Sequence, residues 1–256
     1  MNTVIVSDVH LRVAESGQAS MSDFVRFLRG LEWGKIERFI ILGDLFDFWF
    51  EYRHVIFSGY FDVLRAFADM ADHGIEIHFI CGNHDFWAGR FLEKQLKFSL
   101  HWEPMRLQLG PHRVLLVHGD GLNPKDVGYR IYKRIARRRP VVWLFSLLHP
   151  DRAMRLGQWV SGRSRHLLSA KDPRLGSEVA PLQEFARRTL AGGEADVVLC
   201  GHSHYPVVEE FPTPNGPGRY INAGDWLVHR SYVVWDGSEF RLESYSNEQR
   251  ATSNEQ

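Results

Sequence analysis

Five times along this 256-residue chain, a run of apolar and β-branched residues stops at a short cluster of acids, amides and histidines. The runs read VIVS, FIIL, IHFIC, RVLLV and DVVLC. The clusters that follow them are Asp8-Val9-His10, Gly43-Asp44-Leu45-Phe46-Asp47, Gly82-Asn83-His84-Asp85, His118-Gly119-Asp120 and Gly201-His202-Ser203-His204. Short apolar runs of this kind are strands, and helical patterns lie between them, over about 22–31, 60–72 and 179–190. Strand–helix alternation demands a mostly parallel sheet with right-handed crossovers. The carboxyl ends of such strands lie along one edge, where distant residues meet in a single cleft.

The residue types at those ends are oxygen and imidazole donors, the set that holds two hydrolytic metal ions. Asp8 and His10 alternate on a segment expected to be extended, so they share a face and can grip one cation. His202 and His204 form a second alternate pair. Asp44 is expected to place its two oxygens on two different ions, and Asn83 to add a neutral carbonyl oxygen. One site would then use Asp8, His10, Asp44 and His204, and the other Asp44, Asn83, His118 and His202. Mixed oxygen and imidazole ligands suit Mn²⁺ best, with Fe or Zn²⁺ as alternatives. Two such ions about 3.5–4 Å apart clamp the oxygens of a phosphate during in-line displacement.

His84 is not needed as a ligand and has the right pKa to act as an acid. Asp47 is expected to orient that imidazole, and Asp85 and Asp120 to orient ligands. A lone histidine at a strand end is ordinarily structural, and His54, His73, His78, His101, His112, His149, His166 and His229 take that reading. Five clusters at five strand exits do not. Cys81 and Cys200 are too few for a disulfide framework and read as small buried apolar residues.

Beyond the fourth cluster the pattern becomes helical, basic and aromatic, with breaks at Pro140 and Pro150. Between Arg130 and Arg174 there are twelve lysines and arginines against Asp151 and Asp172, a net +10 in a chain whose total is zero. A basic block beside an acidic body suits an anionic ligand held between the two. Charge confined to one insert, rather than spread along a groove, argues against nucleic acid. Within the insert, Val141–Leu148 (VVWLFSLL) is apolar, and either packs the insert on the body or receives an apolar ligand. Asp126, Tyr129, Ser161, Arg163, Ser164 and Arg165 are the candidate substrate contacts there, beside Asn83 and His84 on the body.

After the fifth cluster come further strands (VVEEF, RYINA, SYVVW, EFRLESY) that give the sheets antiparallel partners. The expected organisation is one domain over 1–245 with a helical lid insertion at about 124–175, and a disordered tail over 246–256. No apolar run approaches the ~20 residues of a membrane span. The start of the chain resembles no signal peptide, so the expected compartment is the cytoplasm.

In order and spacing, the five clusters resemble the signature blocks of the calcineurin-like metallophosphoesterases. The resemblance implies an α/β fold, an αββα sandwich of two mixed sheets, a dinuclear centre with the ligand division above, and His84 as proton donor. Gly43–Tyr52 (GDLFDFWFEY), His118–Leu122, Gly128-Tyr129, the helical insert and Ile221–Trp226 (INAGDW) look like one branch, the UDP-2,3-diacylglucosamine diphosphatases of lipid A biosynthesis. That branch implies cleavage of a pyrophosphate by water at the α-phosphorus and a lipidated nucleotide substrate, and the basic, apolar insert would let the enzyme work at the inner face of the cytoplasmic membrane. Where the branch carries Arg in Gly-Asn-Arg-Asp, this chain has His84, which leaves another phosphoester as the alternative substrate.

Overall fold

The computed structural model describes residues 1–85, 87–124, 127–168, 178–214 and 216–246, with the side chains of 160–168 excepted. The expected tail from residue 247 onward falls outside them.

The strands sort their residues with period two, and that alternation builds four layers. The first sheet runs β11 (Phe240–Ser244), β10 (Ser231–Trp235), β1 (Asn2–Val6), β2 (Ile36–Ile41), β3 (Glu76–Ile80) and β4 (Ser99–His101). β1 to β4 are mutually parallel, and β10 pairs antiparallel with both β1 and β11. The second runs β5 (Met105–Leu109), β6 (His112–Val117), β7 (Val197–Cys200), β9 (Gly216–Asn222) and β8 (Val207–Thr213). There β6, β7 and β9 are parallel, with hairpin partners β5 and β8 at the two edges.

Ile5, Ile40, Ile80, Val233, Val114, Leu116, Val197, Leu199 and Ile221 point between the sheets. On the outer face of the first sheet, Val4, Val6, Phe39, Ile41, Ile77 and Phe79 meet α1 (Gln18–Gly30) and α2 (Phe61–Asp72) through Phe24, Phe27, Val63, Phe67 and Met70. On the far side, Leu115, Val117, Val198 and Cys200 meet Leu182, Ala186 and Leu190 of α7 (Val179–Ala191), which recur every four residues as one helix face. The result is the αββα sandwich. Both cysteines are buried and unbridged, and burial raises both thiols. β4, a three-residue edge strand, has no counterpart in the sequence reading; it is too short to show a period. A short helix, α3 (Arg90–Gln95), precedes it.

The insert contains α4 (Val127–Ala136), α5 (Arg139–Ser146) and α6 (Pro150–Leu168). Pro140 and Pro150 lie in the first turns of α5 and α6, where proline starts a helix. The VVWLFSLL segment splits into a face packed on the body and an exposed one. Val142 and Phe145 pack on the body, Phe145 with its ring 4.9 Å from Phe50 and 4.6 Å from Trp87. Trp143, Leu144 and Leu147 face solvent.

Candidate metal centre

All five clusters leave the carboxyl ends of parallel strands, β1, β2 and β3 in one sheet and β6 and β7 in the other. Packing the sheets face to face brings these ends together. The backbone there is not extended. Asp8, His10, Asp44, His202 and His204 all have φ between 49 and 67°. This corrects the alternation expected for Asp8/His10 and His202/His204: a left-handed residue, not a pleat, aims each side chain. Left-handed backbone is unfavourable for non-glycine residues and persists only where surrounding contacts fix it. Those contacts are visible. Asp8 Oδ2 accepts the His202 N–H at 2.7 Å and lies 2.5 Å from the Ser7 hydroxyl. Asp44 Oδ1 accepts the His84 N–H at 2.9 Å. Gly201 is needed because a Cβ there would lie 1.8 Å from Ser7 Oγ and 2.6 Å from Asp8 Oδ2.

With those oxygens engaged, the remaining ones face a common space. His10 Nε2 lies 3.8 Å from Asp8 Oδ1, 3.8 Å from Asp44 Oδ2 and 3.3 Å from His204 Nε2. His204 Nε2 is 3.4 Å from Asp8 Oδ1. On the other side, His118 Nε2 is 3.6 Å from Asp44 Oδ2 and 3.2 Å from Asn83 Oδ1, and its ring is 5.1 Å from that of His202. A single oxygen, Asp44 Oδ2, therefore faces both halves, where one oxygen per half was expected. Asp8/His10/His204, His10/Asp44/His84 and Asp8/Asp44/His118 each offer ligand atoms within 4.8 Å of one another. His118 Nδ1 is 2.6 Å from the Leu42 carbonyl and donates to it, which turns Nε2 inward.

Asp8, His10, Asp44 and His118 are buried. Burial raises the Asp8 carboxyl, with His204 and His118 opposing it. Burial would also raise Asp44, but His84, His118 and His10 hold it well below the usual range. Burial would lower His118, yet Asp44 and Asp8 raise it to about 10. His202, half-buried beside His118, falls to about 4. Asp44 and His118 are thus held charged by their neighbours, whereas Asp8 and His202 are pushed toward their neutral forms. Asp8 Oδ1 is buried with no hydrogen-bond donor and faces two imidazoles, so the donor set fits a divalent cation.

Comparison with known proteins decides the family. Calcineurin-like phosphoesterases match residues 1–206, which include every cluster. The chain belongs to this family. It is a metal-dependent hydrolase, and its edge holds candidate groups for divalent ions. The UDP-2,3-diacylglucosamine hydrolase of Aeromonas salmonicida is 31% identical over 95% of this chain and 93% of its own. That of Porphyromonas gingivalis is 32% identical over 79% and 81%, and that of Aeromonas hydrophila 29% over 96% and 99%. Coverage this complete includes the insert.

Several residues around the phosphoesterase edge depart from expectation or were missed. The His84 ring is held through Nδ1 by Asp47, as expected, but through the main-chain carbonyl, at 2.9 Å. The Asp47 carboxylate instead lies 3.8 Å from His10 Nδ1 and 3.6 Å from Arg12 Nε. Asp85 accepts the N–H groups of Leu45 and Gly82, both at 2.8 Å, tying two cluster loops together. Asp225, beyond β9, is 3.4 Å from His204 Nδ1 and 3.3 Å from His229 Nδ1. The signal for it was Asn222-Ala223-Gly224-Asp225, a sixth polar cluster at a parallel strand end, which lacks a histidine. Glu178 approaches His202 Nε2 at 3.9 Å.

Asp120 ties body to insert. It accepts the Tyr129 hydroxyl at 2.6 Å and Lys133 Nζ at 2.5 Å. Trp87 Nε1 donates to the Ala136 carbonyl at 3.0 Å, a second tie. Of the insert's candidate contacts, Tyr129 is thus beside the centre. Asp126 and the side chains of Ser161, Arg163, Ser164 and Arg165 lie outside the described residues.

Proposed function

We propose that this phosphoesterase hydrolyses UDP-2,3-diacylglucosamine by water attack at the α-phosphorus, releasing UMP and 2,3-diacylglucosamine 1-phosphate. The observation that carries the reading is a buried donor edge directly tied to a basic insert with an apolar outer face. An amphiphilic diphosphate needs both, cations near its phosphates and apolar surface near its acyl chains. Three relatives of that printed activity align over most of this chain.

Asp8, His10, Asp44 and His204 would hold one ion, and Asp44, Asn83, His118 and His202 the other, with Mn²⁺ favoured and Fe or Zn²⁺ as alternatives. Bound there, the ions supply Lewis acidity and a water made nucleophilic at neutral pH. His84, with Nδ1 fixed on a carbonyl and Nε2 3.8 Å from Asp44 Oδ2, would give a proton to the leaving phosphate oxygen. Asn83 would also touch the substrate phosphate. Tyr129, with Asp126, Ser161, Arg163, Ser164 and Arg165, would contact the substrate from the insert. No helix among the described residues is long and apolar enough to cross a membrane. Trp143, Leu144 and Leu147, beside the insert's arginines, would instead rest on the cytoplasmic membrane's inner face.

The test is a panel of UDP-2,3-diacylglucosamine, UDP-sugars and nitrophenyl mono- and diesters, assayed with Mn²⁺. Turnover of the lipidated nucleotide at least about a hundredfold above the others supports the reading. Activity confined to simple diesters removes it and favours the alternative that His84 leaves open, another phosphoester.

A further inference from the structure

Past the ends of β1 and β2 the two chains remain paired although neither is a strand. The Leu42 N–H donates to Val6, Asp8 to Gly43, His10 to Asp44, Leu11 to Leu45 and Asp47 to Leu11, at 2.8 to 3.1 Å. The buried Tyr60 hydroxyl lies 3.2 Å from the Leu11 carbonyl and 3.1 Å from that of Phe48, clamping the pair from outside. This ladder fixes residues 8–12 against 43–48. It sets the Asp47 carboxylate between His10 and Arg12, Oδ1 toward His10 Nδ1 and Oδ2 toward Arg12 Nε. The other nitrogen of His10, Nε2, faces Asp8, Asp44 and His204.

We propose that the Asp47 side chain and Arg12 are positioning residues for His10, acting on metal binding and not on the proton donor His84. A carboxylate on the Nδ1 side favours the proton there and turns the Nε2 lone pair toward the other ligands. Asp47 is only 2% exposed, and a carboxylate so buried needs a cation beside it. Arg12 supplies it, from a segment packed closely on Gly17, where a Cβ would lie 2.4 Å from Arg12 Cβ. Arg12 is 28% exposed, so its own effect is partly screened and smaller than that of Asp47. At 3.8 Å the Asp47–His10 approach is too long for a hydrogen bond and acts through charge. The main-chain carbonyl of Asp47 serves His84, so one residue addresses two imidazoles by different atoms. The inference rests on the metal assignment proposed above.

The experiment measures Mn²⁺ affinity and stoichiometry on the full chain, by competition with a fluorescent chelator and by elemental analysis. Asp47→Asn should weaken one of two ions about 10- to 100-fold and leave the other unchanged. Arg12→Gln should cost about threefold, Arg12→Lys should restore most of it, and the double variant should be no weaker than Asp47→Asn alone. His84→Ala should bind both ions as the parent does while its turnover changes pH profile. The relay is overturned if Asp47→Asn binds both ions at parental affinity and shares the pH profile of His84→Ala. Should Asp47→Asn not fold, the Arg12 pair decides: equal affinities in Arg12→Gln and the parent overturn it. A parent chain that binds no Mn²⁺, Fe or Zn²⁺ overturns the metal assignment itself, and the relay with it.

Discussion

At the sheet edge Asp8, Asp44 and His118 are 0, 2 and 1% exposed, whereas on the insert Trp143, Leu147 and Trp159 are 63, 62 and 61% exposed. These regions touch through Asp120 and Trp87, yet their side chains answer to different forces. At the edge, left-handed residues and loop hydrogen bonds set each donor, and neighbouring charges replace the water that burial removes. On the insert, helix periodicity puts Phe145 inward and Trp143, Leu144 and Leu147 outward, so large apolar surface faces outside. In the function proposed above, this exposed apolar surface on a basic insert is where the lipidated part of the substrate or the membrane would be met. Under the function proposed above, the contrast puts chemistry and substrate choice on separate elements, which mutation should separate.

The largest effect that could break this separation lies at the edge. Asp8→Ala, Asn83→Ala or His118→Ala should reduce turnover by about 10³-fold or more on every phosphoester, lipidated or not, because each removes a donor to the ions. Chelation of the parent enzyme should abolish activity on the same substrates and lower Tm, with Mn²⁺ restoring both. Elemental analysis beside the rate assay checks it. An Asp8→Ala enzyme within tenfold of the parent would mean the edge is not where the chemistry happens.

How much of this was legible follows the same division. The five strand ends and the polar clusters at them could be read because apolar runs and short motifs are local patterns, and the two-sheet sandwich through the family resemblance those motifs carry. The direction of each donor could not. Asp8-Val9-His10 reads as a pleated pair, and only the loop contacts of Ser7, Gly43 and His202 reveal left-handed turns. Asp47 was read as the residue that orients His84, and its main-chain carbonyl does so, but the turn of its carboxylate to His10 and Arg12 could not be read, because sequence spacing does not say which atom of a residue will point where. Asp225 sits 21 residues past His204 and meets it only because β9 lies beside β7. On the insert, basic and apolar content was plain, while the split of VVWLFSLL into a packed face and an exposed one required knowing where the body lies.

A middle-sized effect would sharpen the comparison from the insert side. Trp143→Ser combined with Leu147→Ser should raise KM for UDP-2,3-diacylglucosamine about tenfold, by removing apolar contact area worth roughly 1–3 kcal/mol. The same double variant should hydrolyse a small nitrophenyl diester at the parental kcat/KM and should sediment less with anionic vesicles. Equal losses on the lipidated and the small substrate would show that the insert shapes the edge itself, and the separation would fail.

The smallest effect tests whether charge matters in the same way away from both regions. Asp196, just before β7, accepts the Arg113 guanidinium at 2.7 and 3.1 Å and the Arg113 N–H at 2.8 Å. Those contacts lower its carboxyl below the ordinary 3.8, the side-chain bonds contributing most. A depressed carboxyl stabilises the fold fully above the unfolded-state value, and the contribution is lost as pH falls through the folded one. Asp196→Asn should therefore lower Tm by roughly 1–3 °C at pH 7, a modest figure because the pair is exposed and screened. The gap from the parent should close as pH drops below about 4 and shrink in 1 M salt. Rate on either substrate should not move. A Tm gap that persists unchanged at pH 2 would assign the effect to packing, and would leave the buried edge as the region where electrostatics decides behaviour.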